Sequence, residues 1–462
     1  MQSSIEMQRD ASEDQGLPVR QRRLVMSCVL LGVLLSNLDS AIANIALPTL
    51  VHELGTSAAA VVWVVNGYQL AVAVCLLPAA ALGEIIGHKR IYAAGLVLFM
   101  VASLFCATAQ SLASLVSARL LQGVGGACLA ALGPALVRAI YPRRLIGSGF
   151  ASIALVVAMA GALGPTVAAL ILSVASWPWL FLVNLPVCLV TIPLFITVAP
   201  QSQRTPRTFD LSGALLNATV LGLLVTGVDI MGHDGGWATC MLSGGLFFLV
   251  GLLWHQSKRN TPMLPLDLLK IPVIALSIAT SICSYAAQII AYISMPFLLQ
   301  IILHRSAVET GLLVTPWPLL VAFAAPVAGR LSSRYPASIL GGIGLAALAC
   351  GLALLVGMPS LPSNWDVAWR MAVCGAGFGF FQTPNNTTMM TSGPANRSGA
   401  AGGLVAVART VGWCLGSALV TMIFQLAAAN RTTWCLTVAA AFAVVGAVVS
   451  IARGLSRSGR TA

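Results

Sequence analysis

The chain has 462 residues, 58% hydrophobic and only 8% charged, with a net charge of +12 and a mean hydropathy of +0.91. Soluble domains carry about 25% charged residues, so this composition excludes an ordinary soluble enzyme or nucleic-acid-binding domain. Its apolar runs are long and continuous rather than alternating, which requires membrane-spanning helices and not a β-barrel.

Residues 1–23 are polar and mixed in charge, and the apolar run that follows is long enough to span. They are read as a cytoplasmic tail and not a secretory signal. A span needs about 20 residues. Fourteen candidate runs lie near 24–48, 60–82, 91–108, 112–137, 147–172, 179–199, 211–230, 238–255, 272–300, 308–329, 337–357, 367–389, 399–427 and 433–453. The expected fold is an all-α integral membrane protein. A six-helix bundle over 24–200 is followed by a linker with two extra helices over 201–271. A second six-helix bundle covers 272–453, and 454–462 form a second cytoplasmic tail.

Loop charge orients this arrangement. With the N-terminus inside, the inner segments hold Arg20, Arg22, Arg23, Lys89, Arg90, Arg143, Arg144, Lys258, Arg330 and Arg334, among others. The outer segments hold only Arg305, Arg370 and Arg431. That asymmetry follows the positive-inside rule, so the net charge is a topology signal with no bearing on nucleic acid. The expected location is the plasma membrane of a bacterium (its inner membrane), with both termini cytoplasmic.

In the first span, "NLDSAIANIALPTL" sets Asp39 deep in an apolar run. It lies roughly 13 Å from the outer end at 1.5 Å rise per residue. A carboxylate there is costly against lipid and is by default functional. The expectation is that Asp39 faces a central cavity and carries a proton through a transport cycle; the bland alternative is a structural carboxyl bonded to another helix. In the fourth span Arg119 lies at a similar depth and is its candidate partner, with Gln122 one turn on along the same face. A contact that breaks during rocking would couple protonation to conformation; a static Arg119 bonding carbonyls is equally compatible. Asn44, Asn66, Tyr68 and Gln69, and Gln382 with its neighbours Asn385 and Asn386, are candidates for lining the cavity or for satisfying neighbouring helices. Arg409 lies near mid-depth in the thirteenth span without an acid at its depth in its own half. It would bind a polar or anionic group in the cavity or, the favoured reading, bond carbonyls where Gly412 and Gly416 allow close helix approach. Asp229, at the outer end of the seventh span, is placed outside the cavity.

The loop "AALGEIIGHKR" from Ala80 and the loop "GRLSSRYP" from Gly329 share a pattern after spans two and ten, as two repeated halves would. With "LDSAIANIALP", "RLLQGVGGA" (119–127), "GALGPTVAA" (161–169) and "WPWLFLVNLP" (177–186), the chain resembles the major facilitator superfamily, and within it the fourteen-span drug:proton antiporter branch. It departs from the superfamily's pattern at Ala80, Glu84 and Ile85, and from the antiporter motif at Ala168 and Ala169. The resemblance implies a major-facilitator-like fold and marks a conformational gate. The loop residues Glu84, Gly87, Lys89 and Arg90, with Arg334 in the other half, would bridge the halves or cap helix ends. Gly161, Gly164 and Pro165 would let span five lie tight against the other half; an ordinary packing notch fits equally.

The resulting expectation is a secondary active transporter, not an enzyme, exporting lipophilic drug-like or toxic small molecules by alternating access in exchange for protons. Import or export of one specific metabolite is the alternative. No GxxxxGK[ST] stretch implies ATP, and no His or Cys pattern implies a metal, so the proton gradient is the energy source and no cofactor is expected. Expected partners are the lipid bilayer, a small lipophilic substrate and protons, with no nucleic acid, and the protein is expected to act as a monomer. With Asp39 as the single deep acid, neutral or monovalent substrates are expected and dications poorly moved.

Overall fold

A computed structural model describes residues 16–458, apart from 203, 205–207, 233, 260–262, 395–397 and 428. Lipid offers no partner to a backbone N–H or C=O, so each apolar run closes its bonds internally as a helix. Fourteen long helices follow in order: α1 (Val19–Glu53), α2 (Ala58–Ile86), α3 (His88–Ala107), α4 (Leu112–Ile140), α5 (Ile146–Val174), α6 (Trp179–Val198), α7 (Leu211–Asp229), α8 (Gly235–Ser257), α9 (Pro272–Phe297), α10 (Ala307–Leu331), α11 (Ala337–Val356), α12 (Asn364–Thr391), α13 (Ser398–Leu426) and α14 (Arg431–Ser458). No strand occurs among the described residues. Thirteen helices are long and apolar enough to cross a membrane on length and composition alone. The exception is α12, which spans 28 residues but carries Asp366, Arg370, Gln382, Asn385 and Asn386.

The helix bounds correct the expected tails. α1 begins at Val19, so Arg20, Arg22 and Arg23 are helical. Gln21 donates to the Val198 carbonyl at 2.8 Å, and Arg22 lies over the Tyr141 ring at 5.2 Å, which ties this first turn to the bundle. α14 runs on to Ser458. Residues 1–15 and 459–462 of the expected tails lie outside the described residues. Glu309 and Asp366 close capping boxes with Ser306 and Ser363 at the starts of α10 and α12, satisfying N–H groups that a helix end leaves open.

Packing repeats with an offset of eight helices. α4 packs on α2 and α3 as α12 packs on α10 and α11; α1 packs on α5 and α6 as α9 packs on α13 and α14. Two six-helix halves follow, as the paired loops suggest. α7 packs on both α2 and α13, so the linker pair sits across the seam between the halves, with α8 on its outer side.

Among the described residues, the side-chain hydrogen bonds between the two halves gather at one end. Call the end that holds both chain termini the terminal end. At the opposite end Thr166 and Thr315 share a hydrogen bond of 2.8 Å, Gln300 donates to the Ile45 carbonyl at 3.1 Å, and Asn66 donates to Thr421 at 3.3 Å. One apolar cluster there joins Leu47 and Leu50 of α1, Val64 of α2, Phe297 of α9 and Phe424 of α13. Towards the terminal end the core divides. Val25, Tyr92, Leu132 and Phe195 belong to one cluster of the first half, touched by Ala406 and Val407 of α13. Ile274, Met389 and Leu404 belong to another of the second half. Hydrogen bonds thus tie the halves at the far end, while towards the terminal end they touch through Ala406 and Val407.

Candidate functional site

Asp39 is 1% exposed and Arg119 fully buried. Arg119 and Gln122 stand three residues apart on α4 and so share a face. Gly123 and Gly126 of the same motif admit α2 so closely that a Cβ at either would lie 2.5 Å from an atom of Tyr68. α6 is interrupted at Val183, where Pro186 has no N–H to give the Leu182 carbonyl, and the break turns Asn184 inward.

These elements close a polar network. Arg119 Nη1 forms an ion pair with Asp39 Oδ2. It also donates to Gln122 Oε1 at 2.5 Å, while Arg119 Nε donates to the Val64 carbonyl at 3.0 Å. Asp39 Oδ1 accepts from Gln122 Nε2 at 2.8 Å and from Asn184 Nδ2 at 2.9 Å. Ser103 Oγ of α3 accepts from Gln122 at 2.9 Å and from Asn184 at 3.3 Å. The guanidinium lies 4.4 Å from the Tyr68 ring centroid and 5.6 Å from that of Phe181. A lone charge in such a site would cost several kcal/mol; the opposite charge and the filled hydrogen-bond set make both tolerable. A proton on Asp39 would leave Arg119 buried without its counter-charge. Protonation and opening of this pair are thereby linked.

The arrangement corrects three expectations. Asp39 faces α4 and α6 inside the first half and does not line the space between the halves; the reason is that Arg119, Gln122 and Asn184 all offer donors on that side. Gln122, on the face of Arg119 as expected and also a candidate for the cavity, belongs to the network. Asn44 and Asn66 are buried at the far end, where Asn66 bridges to α13. Tyr68 is buried, with its hydroxyl donating to the Ser36 carbonyl at 3.3 Å, and Gln69 donates to Ser40 at 3.1 Å. Gln382 and Arg409 remain half-buried in the second half. Gln382 donates to the Tyr285 hydroxyl at 2.9 Å. Arg409 bonds no carbonyl, against the favoured reading: its guanidinium lies over the Trp413 ring at 5.3 Å, and its Nε has no hydrogen-bond partner. Asp229 is buried at the seam and accepts from Trp63 Nε1 at 2.9 Å.

Of the gate residues, Gly87 takes φ +113° and turns the chain from α2 into α3 in one residue, a conformation open to glycine. Lys89 Nζ donates to the Ala199 carbonyl at 2.6 Å, a contact within the first half, so it does not bridge the halves. Glu84, Arg90 and Arg334 are exposed, and among the described residues Arg90 and Arg334 make no ion pair. Gly311 sits in the seam, where a Cβ would lie 2.5 Å from the Pro165 carbonyl oxygen, whereas Gly164 packs within the first half, a Cβ there lying 2.4 Å from that of Ala41. Gly161 faces Pro318 at 3.7 Å.

Sequence reasoning missed three residues. Asn184 stands in a quoted motif, and an Asn beside a helix break in an apolar run was its only signal; Ser103 had none. Arg453, the last residue of the expected final span, is 2% exposed and donates from Nη1 to Ser277 Oγ and to Asn385 Oδ1, each at 2.6 Å.

Residues 29–417 match the family described as the Major Facilitator Superfamily. The chain is similar to the uncharacterized transporter YebQ of Escherichia coli (strain K12), 44% identical over 94% of this chain and 96% of that one. It is similar to the riboflavin transporter RibZ of Clostridioides difficile (strain 630), 28% identical over 88% of this chain and 89% of the relative. It is also similar to the multidrug resistance protein Stp of Mycobacterium tuberculosis (strain CDC 1551 / Oshkosh), 32% identical over 87% of this chain and 75% of the relative.

Proposed function

The chain belongs to the Major Facilitator Superfamily, and from that premise we propose that this multi-pass membrane transporter exports lipophilic small molecules in exchange for protons. The observation that carries the reading is the buried Asp39–Arg119 pair, closed by Gln122 and Asn184 across four helices of one half. Alternating access needs a step whose free energy differs between two arrangements of the halves. Proton uptake at Asp39 supplies one, because it strips Arg119 of its counter-charge and favours an arrangement in which the guanidinium finds other partners. Tyr68, stacked on Arg119, belongs to α2, which also meets α13 of the other half, so a change at the pair has a path of packed side chains to the seam.

In this reading the terminal end is cytoplasmic, as loop charge indicates, and the described state opens inward. Substrate enters between the halves, the far-end seam of Pro165 and Gly311 parts, and substrate leaves outside. Arg90 and Arg334, which make no ion pair among the described residues, gain partners when the terminal end closes. The likeness to Stp supports efflux of drug-like compounds, and the likeness to RibZ supports a single metabolite as the second reading. The proton gradient is the energy source and the protein works as a monomer in the plasma membrane of a bacterium. The test is flux of a compound panel in inverted vesicles under an imposed pH gradient. Several unrelated lipophilic compounds should accumulate, and Asp39→Asn should abolish gradient-driven accumulation. Movement of one compound alone favours the metabolite reading, and full gradient-driven flux in Asp39→Asn overturns the role of the pair.

A further inference from the structure

A transported ligand must be held by groups on the faces that part and meet. The only deep acid of the first half is consumed by Arg119, so it offers a cation nothing. Arg409 differs. Gly412 and Gly416 press α13 against α9, where a Cβ at Gly416 would lie 2.4 Å from Ile289, and this fixes the rotation of the helix. Arg409 and Trp413, one turn apart, then share a face. Trp413 is held from behind: its Nε1 donates to Gln288 Oε1 at 3.3 Å, and its ring meets Tyr285 edge-on at 5.9 Å. Arg409 is half-buried at mid-depth on the helix whose Ala406, Val407 and Cys414 pack against residues of the opposite half, so it stands near where the halves face each other. Among the described residues its guanidinium makes no ion pair and no hydrogen bond. Asp229, paired with Trp63 near Asn66 and Thr421, is further out, Thr421 alone being about 18 Å along α13 from Arg409.

A guanidinium stacked on an indole keeps its N–H fork free in the ring plane, and that fork matches a carboxylate or sulfonate. Resting on the transporter reading above, we propose that Arg409 and Trp413 form an anion-recognising element in the cavity, and that the chain takes organic monoanions borne on a flat aromatic body. The acid group takes the fork of Arg409, and the aromatic body lies against Trp413, which Tyr285 holds from behind. This replaces the expectation of neutral or monocationic substrates, which required Asp39 in the cavity.

Binding to purified protein in phosphatidylcholine nanodiscs, where no anionic headgroup competes, tests the proposal apart from transport. The probes are 2-naphthoate, 2-naphthamide and 2-naphthylmethylammonium, alike in shape and different in charge. Wild type should bind naphthoate about tenfold more tightly than naphthamide, and the ammonium most weakly. Arg409→Gln should lose that preference while keeping naphthamide binding, which shows that the variant is folded; Arg409→Lys should keep a preference of about threefold. Equal binding of the three probes, no binding of any, or an unchanged preference in Arg409→Gln overturns the proposal. A charge preference that holds while vesicle flux is absent leaves the anion site standing and sinks proton-driven export instead; flux without the preference does the reverse.

Discussion

The two halves share one packing plan and bury charge in different ways. In the first, Arg119 meets a carboxylate, and the polar groups of the network come from several helices: Asp39 from α1, Ser103 from α3, Arg119 and Gln122 from α4, Asn184 from α6. In the second, the fully buried arginine, Arg453, donates to the uncharged Ser277 and Asn385 near the terminal end. The repeat thus fixes where helices lie but not where charge goes. An ion pair can be switched by one proton, whereas neither the Ser277 hydroxyl nor the Asn385 amide titrates near neutral pH. On the proposed function, the titrating pair is the one in the first half.

The strongest way to break this contrast is to remove one charge of the pair. Asp39→Asn should abolish proton-driven flux and destabilise the detergent-solubilised protein by about 3–5 kcal/mol, because Arg119 is left buried alone. Adding Arg119→Gln should restore much of that stability and none of the flux. Thermal unfolding of the single and double variants reads the first effect; a double variant no more stable than Asp39→Asn would show that the pair is not the source of the cost. In the second half Asn385→Ala should cost less, about 1–3 kcal/mol, for loss of one acceptor of a charged donor, and should leave the pH dependence of flux unchanged. A shifted pH profile in that variant would put the second half into the proton cycle and dissolve the comparison.

The seam gives a third, smaller handle. Gly311→Val would push against the Pro165 carbonyl at the far end, at a cost of about 1–3 kcal/mol to that arrangement alone. Labelling of a cysteine placed at Thr166, in a background freed of native cysteines, should rise at the far end. Unchanged labelling would mean that the helices yield locally and the seam does not gate. The smallest effect belongs to the linker pair. Burial alone would raise the Asp210 carboxyl, but hydrogen bonds from His255, Gly213, Ser212 and Gln256 outweigh it and hold the group down at about 2, below its ordinary 3.8. A carboxyl lowered in the folded state stabilises above its ordinary value and loses that contribution as pH falls through the lowered one. The α7–α8 junction should therefore loosen between about pH 4 and 2, read as faster hydrogen exchange at Gly213, and Asp210→Asn should lose that dependence.

Composition, apolar run length and loop charge were enough to count the helices and pair the halves, because lipid forces each run to satisfy its own backbone and a helix is the only local solution. The Asp39–Arg119 meeting was legible too, since two opposite charges at one depth in a low-dielectric bundle have few other ways to be tolerated. The direction in which they point was not. That depended on the break at Val183 that brings Asn184 inward, and on glycines at 123 and 126 that let α2 close over Arg119. Arg409 shows the same limit from the other side. The sequence marked it as deep and without an acid in its half; whether it bonded carbonyls or stood free over Trp413 was decided by the rotation of α13 against α9. Depth along a helix is a local count of residues, whereas facing is set by the fit of one helix surface on another, and only packing of the whole bundle determines that.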